Sequence, residues 1–133
     1  MKRINPYINF NGQAREAMNF YKGCFGGELT FMTVGESPMA ANMPDQADTI
    51  MHSQLEFENG VLMATDMQGG DTTGSRIAIA LDCSSEEEIN RHFAILAEGG
   101  NTFCPLGPAF WGGLFGVTTD KFGITWMLTH NNQ

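Results

Sequence analysis

The chain has 133 residues, enough for one domain with a sizeable core, and its 42% apolar content is ordinary for a globular protein. A formal net charge of −8 disfavours nucleic acid and anionic membrane surfaces as partners, and no apolar run reaches the roughly 18 residues of a membrane span. The opening Met1-Lys2-Arg3-Ile4-Asn5-Pro6 lacks the apolar core of a secretory signal, and Cys24, Cys83 and Cys104 lack metal-type spacing, so reduced thiols in a cytoplasmic protein are expected.

The segment Ile4 to Phe10 alternates, with Ile4, Pro6, Ile8 and Phe10 on one face and Asn5, Tyr7 and Asn9 on the other, which predicts a strand. Asn11-Gly12 breaks it and can cap a helix. From Gln13 the apolar residues Ala14, Ala17, Met18, Tyr21 and Phe25 form one helical stripe, stopped by Gly26-Gly27. Leu29 to Val34 reads as a strand and 35–49, with its glycine, prolines and aspartates, as a loop. Ile50 to Phe57 and Val61 to Thr65 read as a hairpin turning at Glu58-Asn59-Gly60, where Asn-Gly tolerates positive φ.

A Gly/Thr-rich connector, 66–75, leads to a second pass of the same plan. Arg76 to Asp82 alternates, and Ser84 or Ser85 followed by Glu87 or Glu88 reads as a capping box. Ile89, Phe93, Leu96 and Ala97 form the next stripe, ended by Gly99-Gly100. Strands follow around Thr102, from Leu114 to Thr119 and from Thr125 to Thr129, with Pro105 to Gly113 as a loop. A shift of about 73 lays Gly26-Gly27 on Gly99-Gly100 and Phe20 on Phe93, and one of about 64 lays Met63 on Met127. The simplest account is an α+β domain, 1–133, of two βαβββ modules, 1–70 and 71–133, whose curved mixed sheet encloses a cleft.

The strand faces opposite the helices must line something else, and a groove between sheets is a usual place for a small ligand. Alternation names its lining: Asn5, Tyr7 and Asn9; Met63 and Thr65; Arg76; Met127. Arg76 suits a carboxylate or phosphate, or equally an ion pair with Asp66. Trp111 and Phe110 sit in a loop able to stack on a flat ligand or to serve as a packing plug or dimer contact. His52 reads either as a binding residue or as a strand histidine bonded to a polar neighbour. His92 reads as a residue at the edge of its helix stripe, and His130 as solvated. No Ser-His-Asp set, phosphate loop, zinc knuckle or reactive-cysteine context is present.

The opening Asn5-Pro6-Tyr7-Ile8-Asn9-Phe10-Asn11-Gly12, Glu16-Ala17, Phe20-Tyr21 and Phe25-Gly26 resemble the PhnB-like branch of the vicinal oxygen chelate superfamily. So do Met63 to Asp66, Trp111-Gly112 and Thr119-Asp120-Lys121-Phe122-Gly123 before Trp126, although Lys121 stands where that branch usually has proline. The resemblance implies the glyoxalase/bleomycin-resistance fold and a homodimer. It places the four metal-ligand positions of the superfamily's metalloenzymes near Asn5, Met63, Arg76 and Met127. An amide, two thioethers and a guanidinium are poor ligands for a divalent ion, so neither metal nor cofactor is expected there. A small-molecule-binding protein is the first expectation. An enzyme of lyase, transferase or oxygenase type, either using an unrecognised metal set that includes His52 or Asp66 or working without metal, is the second. A structural or regulatory partner with a vestigial groove is the third.

Overall fold

In the computed structural model, residues 5–37, 40–66, 77–109 and 112–131 are described. The chain divides into two compact units, Met1–Thr72 and Thr73–Gln133.

The first unit runs β1 (Tyr7–Asn9), α1 (Ala14–Phe25), β2 (Glu28–Thr33), β3 (Ile50–Phe57) and β4 (Gly60–Thr65). Its four strands lie in the order β1-β4-β3-β2, with β1 parallel to β4 and the others antiparallel. The second unit repeats this with β5 (Ile79–Asp82), α2 (Glu86–Ala97), β6 (Asn101–Pro108), β7 (Leu114–Thr119) and β8 (Thr125–His130), in the order β5-β8-β7-β6. Two four-stranded mixed sheets, each covered by one helix, make the α+β architecture that the pattern predicts.

Helix α1 buries Ala14, Ala17, Met18, Tyr21 and Cys24. Opposite them the sheet presents Leu55 and Leu62, and Ser53 and Ala64, as neighbouring buried pairs. Tyr21 is fully buried, the rings of Phe10, Phe20 and Phe25 lie 5.6–6.3 Å from its own, and Phe25 in turn meets Phe57 of β3 edge-on at 6.1 Å, linking this aromatic cluster to the sheet. In the second unit α2 buries Ile89, His92, Phe93 and Leu96. A Cβ on Gly116 would stand 2.7 Å from the Phe93 ring, so β7 needs glycine for the helix to sit this close. His92 is 8% exposed and belongs to this buried face rather than to its edge.

Several local expectations are corrected. The 35–49 loop contains short 3₁₀ turns at Ala40–Asn42 and Pro44–Gln46, after one at Val34–Glu36. That first turn is held by a reciprocal cap in which Glu36 accepts from the Thr33 amide and hydroxyl, holding the Glu36 carboxyl below the usual range. The β3–β4 hairpin pairs Phe57 with Gly60, so the turn is Glu58-Asn59 and neither Asn59 nor Gly60 takes positive φ. Gly60 is a strand residue instead. Strand β6 continues through Pro105 to Pro108, shortening the expected loop. It tolerates proline because it is the outer strand of its sheet and its register slips on both sides of Cys104.

Candidate functional site

Strand register decides which side chains share the face turned away from α1. Tyr7 is opposite Met63, Met63 opposite Gln54, and Gln54 opposite Thr30, one row across the sheet. His52 lies two residues along β3 from Gln54, opposite Met32, and Asn9 lies opposite Thr65. The sheet therefore brings Tyr7, Asn9, His52, Met63 and Thr65 onto one face.

Tyr7 and His52 meet on it. The phenol oxygen lies 3.4 Å from His52 Nδ1, and the rings are edge-on at 5.7 Å. Tyr7 is 51% exposed, while His52 and Met63 are half-buried. The result is a patch with an apolar floor and one convergent polar pair. Thr65 is more enclosed, its hydroxyl donating to the Met51 carbonyl at 2.8 Å. Asn9 accepts from the Asn11 amide through Oδ1, closing a local turn. Asn5 is half-buried ahead of β1, and the Pro6 carbonyl beside it accepts from the Met63 amide.

Asp66 sits at the end of β4 and turns toward α1. Its Oδ1 accepts from the amides of Gly12 at 2.7 Å and Ala14 at 3.1 Å. A carboxylate on the first free N–H groups of a helix satisfies donors that Gln13, at the cap position, leaves unmet. This corrects the expectation that Asn11-Gly12 supplies the cap. The same carboxylate borders a cleft of about 760 Å³ lined by Arg15, Glu16, Asn19, Asp45 and Asp48. That cleft lies against exposed 3₁₀ turns, and Arg15 is drawn over the Phe31 ring, 4.9 Å from its centre. Acidic, exposed walls make it a weaker site than the Tyr7–His52 patch.

In the second unit Met127 is half-buried, opposite Ala80 on β5 and Val117 on β7. It occupies the place that Met63 holds in the first sheet. Arg76, Phe110 and Trp111 lie outside the described residues, as does any pairing of Arg76 with Asp66. Gln54 is a patch residue that sequence reading missed, although its parity with His52 along β3 was available. His130, expected to be solvated, is half-buried with Nδ1 3.0 Å from the Cys83 carbonyl.

A second cluster stands at the start of α2. One donor atom each from Cys83, Glu88 and His92 lie within 4.8 Å of one another. Burial first, then the nearby Glu88 and Asp82 carboxylates, push the Cys83 thiol up to about 11. Sequence reading passed over this cluster because Cys83 precedes the helix pattern. The visible signal was a Glu-His pair four residues apart with a cysteine just ahead.

Two βαβββ units, each a four-stranded mixed sheet with one helix on it, define the glyoxalase/bleomycin-resistance class of fold. Solved structures of a glyoxalase-related enzyme from Fulvimarina pelagi (TM-score 0.60, 17% identity, 98% of this chain and 89% of that one) and of a glyoxalase/bleomycin resistance protein/dioxygenase family enzyme from Burkholderia phytofirmans (0.59, 14%, 96% and 94%) share it. Residues 2–129 match the family described as 3-demethylubiquinone-9 3-methyltransferase, and the chain belongs to that PhnB-like family. It is 31% identical to protein YjdN of Escherichia coli over 94% of this chain and 92% of that one. The crystal structure of protein PA1353 from Pseudomonas aeruginosa is 39% identical with a TM-score of 0.88, covering 98% of each chain. A putative 3-demethylubiquinone-9 3-methyltransferase, PhnB protein, from Bacillus cereus is 28% identical with a TM-score of 0.76, covering 97% of this chain and 99% of that one.

Proposed function

We propose that this protein binds a small organic molecule on the open face of its first sheet, without a divalent ion at the positions used by the superfamily's metalloenzymes. The observation that carries this reading is the Tyr7–His52 pair standing beside Met63 on the face away from α1. Phenol and imidazole supply a donor and an acceptor, and the Met63 and Met32 thioethers supply an adaptable apolar surface. At the superfamily's metal positions the described side chains are the Asn5 amide and the Met63 and Met127 thioethers. They suit contact with an organic ligand better than coordination of a hard or borderline ion.

Methyl transfer, the activity in the family's description, finds no support at either strand-to-helix junction. The β1–α1 junction reads Phe10-Asn11-Gly12-Gln13 and the β5–α2 junction Cys83-Ser84-Ser85. Neither is the Gly-rich strand-to-helix loop expected for S-adenosylmethionine, and in the first the Gly12 amide is bonded to Asp66. A second reading, catalysis, is favoured by the same Tyr7–His52 pair, because adjoining phenol and imidazole groups can pass a proton. The homodimer, and residence in the cytoplasm with the thiols reduced, belong to this proposal. Cys24, Cys83 and Cys104 are free, and no helix among the described residues is long and apolar enough to cross a membrane.

The test is an NMR screen of the isotopically labelled protein against small aromatic and carboxylate metabolites. The expected result is a hit that moves the Tyr7, His52 and Met63 amides. Its affinity should fall roughly five- to tenfold in a Tyr7→Phe, His52→Ala double variant, as for loss of about one hydrogen bond. Hits confined to the Arg15–Asp48 cleft, or hits indifferent to both substitutions, would overturn the assignment. Turnover of a hit that is lost in His52→Ala would move catalysis to first place.

A further inference from the structure

We propose that Cys83, Glu88 and His92 form a binding site for a zinc-like divalent ion at the β5–α2 junction, separate from the sheet face described above. A thiol, a carboxylate and an imidazole converge there, with one donor atom of each within 4.8 Å of the others. This combination selects a borderline ion such as Zn²⁺ over Mg²⁺ or Ca²⁺, which prefer all-oxygen shells. Zinc bonds of about 2.0–2.3 Å place tetrahedral donors roughly 3.3–3.7 Å apart, so closing the set around an ion requires shifts of about 1 Å.

The backbone prepares the site. The Cys83 amide donates to the Thr129 carbonyl at 2.8 Å, and the Cys83 carbonyl lies 3.0 Å from His130 Nδ1, tying the residue to β8 on both sides. Two residues on, Ser85 caps α2 by accepting from the Glu88 amide at 3.1 Å. Glu88 and His92 then fall one helical turn apart on the same side. Glu88 Oε1 accepts from the Ser84 amide at 3.1 Å, which orients the carboxylate and leaves its other oxygen for an ion. Cys83 and His92 are each 8% exposed, and the half-buried Glu88 forms the entrance.

Comparison of the two units separates this cluster from what the fold requires. Phe10 follows β1 as Cys83 follows β5, and each bonds its amide to the corresponding strand carbonyl, Thr65 or Thr129. Helix α1 begins at Ala14 and α2 at Glu86, so Phe20 holds the place in α1 that His92 holds in α2. The first unit thus builds the same junction with two aromatic residues. The second substitutes two metal-ligating side chains at buried positions, beside a carboxylate, Glu88, that stands where the first has Glu16.

The test uses the full chain stripped with a chelator and titrated with Co²⁺, then with Zn²⁺ as competitor. The expected result is about one ion per chain, with thiolate-to-cobalt charge-transfer absorption and the intense visible bands of a tetrahedral site, both abolished by Zn²⁺. Cys83→Ser and His92→Gln should remove the charge-transfer band. Glu88→Gln, at a half-buried position and able to keep the Ser84 bond, should keep the fold and weaken binding about tenfold or more. Cys104→Ser and His52→Ala should bind as the parent does. Absence of a charge-transfer band in the parent overturns the site, as does one-to-one binding that survives Glu88→Gln undiminished or vanishes in His52→Ala. In either of the last two cases the ion is held elsewhere.

Discussion

Asp120 shows how much one buried carboxylate can organise. It is 3% exposed; Oδ1 accepts from the amides of Phe122 and Ile124, and Oδ2 accepts from the Trp126 indole at 2.8 Å. The β7–β8 turn therefore takes its geometry from Asp120, which explains why Lys121 can replace the proline usual at the next position. The Lys121 ammonium lies 5.5 Å from the Phe122 ring centre, an added cation–π contact. Cys83 offers a prediction at the same scale. Its thiol is raised from 9.0 to about 11 by burial, then by Glu88 and Asp82, so the folded chain holds that proton more tightly than the unfolded chain. The resulting stability is whole below about pH 9 and lost as pH rises through about 11. In metal-free urea titrations, the advantage of wild type over Cys83→Ala should shrink by about 1–2 kcal/mol across that window, after discounting for solvent screening. A constant gap would show that the thiol ionises equally readily in both states.

At the scale of elements, both helices and the strands were readable from periodicity and glycine stops, save that β6 runs on through Pro105 to Pro108, which read as loop. The misjudged features depend on which groups pair, which periodicity alone does not supply. The α1 cap is one, since Asp66 reaches Gly12 and Ala14 from the far end of β4. Asp66→Ala should therefore destabilise the protein by about 1–2 kcal/mol in chemical denaturation, with Asp66→Asn recovering part of the loss. An unchanged midpoint would mean that water serves those amides equally well. The hairpin turn is another, because pairing Phe57 with Gly60 moves the turn one residue earlier than Asn-Gly suggests. His92, read at the edge of the stripe Ile89, Phe93, Leu96 and Ala97, lies within the buried face, and the repeat shift of 73 fits the strands and glycine stops, whereas the helices superpose at 72. The segment before α2 is one residue shorter than its counterpart before α1, and the segment after it one longer.

For the whole molecule, the repeat was legible because Tyr7 pairs with Met63 as Ala80 pairs with Met127, the pattern that both shifts anticipated. The open-face residues followed from period-two alternation, but the Tyr7–His52 contact required the register between strands that alternation does not supply. Charge was legible outright and carries its own prediction. A net −8 with pI near 4.6 means self-repulsion that salt relieves. Raising ionic strength from about 10 mM to about 150 mM, where the screening length falls to roughly 8 Å, should raise Tm by a few degrees at neutral pH. A falling Tm would show that favourable ion pairs outweigh the repulsion.

The pairing of each unit's first strand with its last also governs how the chain folds as it leaves the ribosome. Among the described residues, β1 pairs only with β4 and β5 only with β8, each lying beside the final strand of its own unit. The loop closed by that contact spans nearly the whole unit, so its entropy must be overcome before the contact returns any stability. The first unit becomes closable once Thr65 has emerged, while the second is still being made. Synthesis from the amino terminus thus lets the half that carries the Tyr7–His52 face form its sheet before its homologous strands can compete for the same partners.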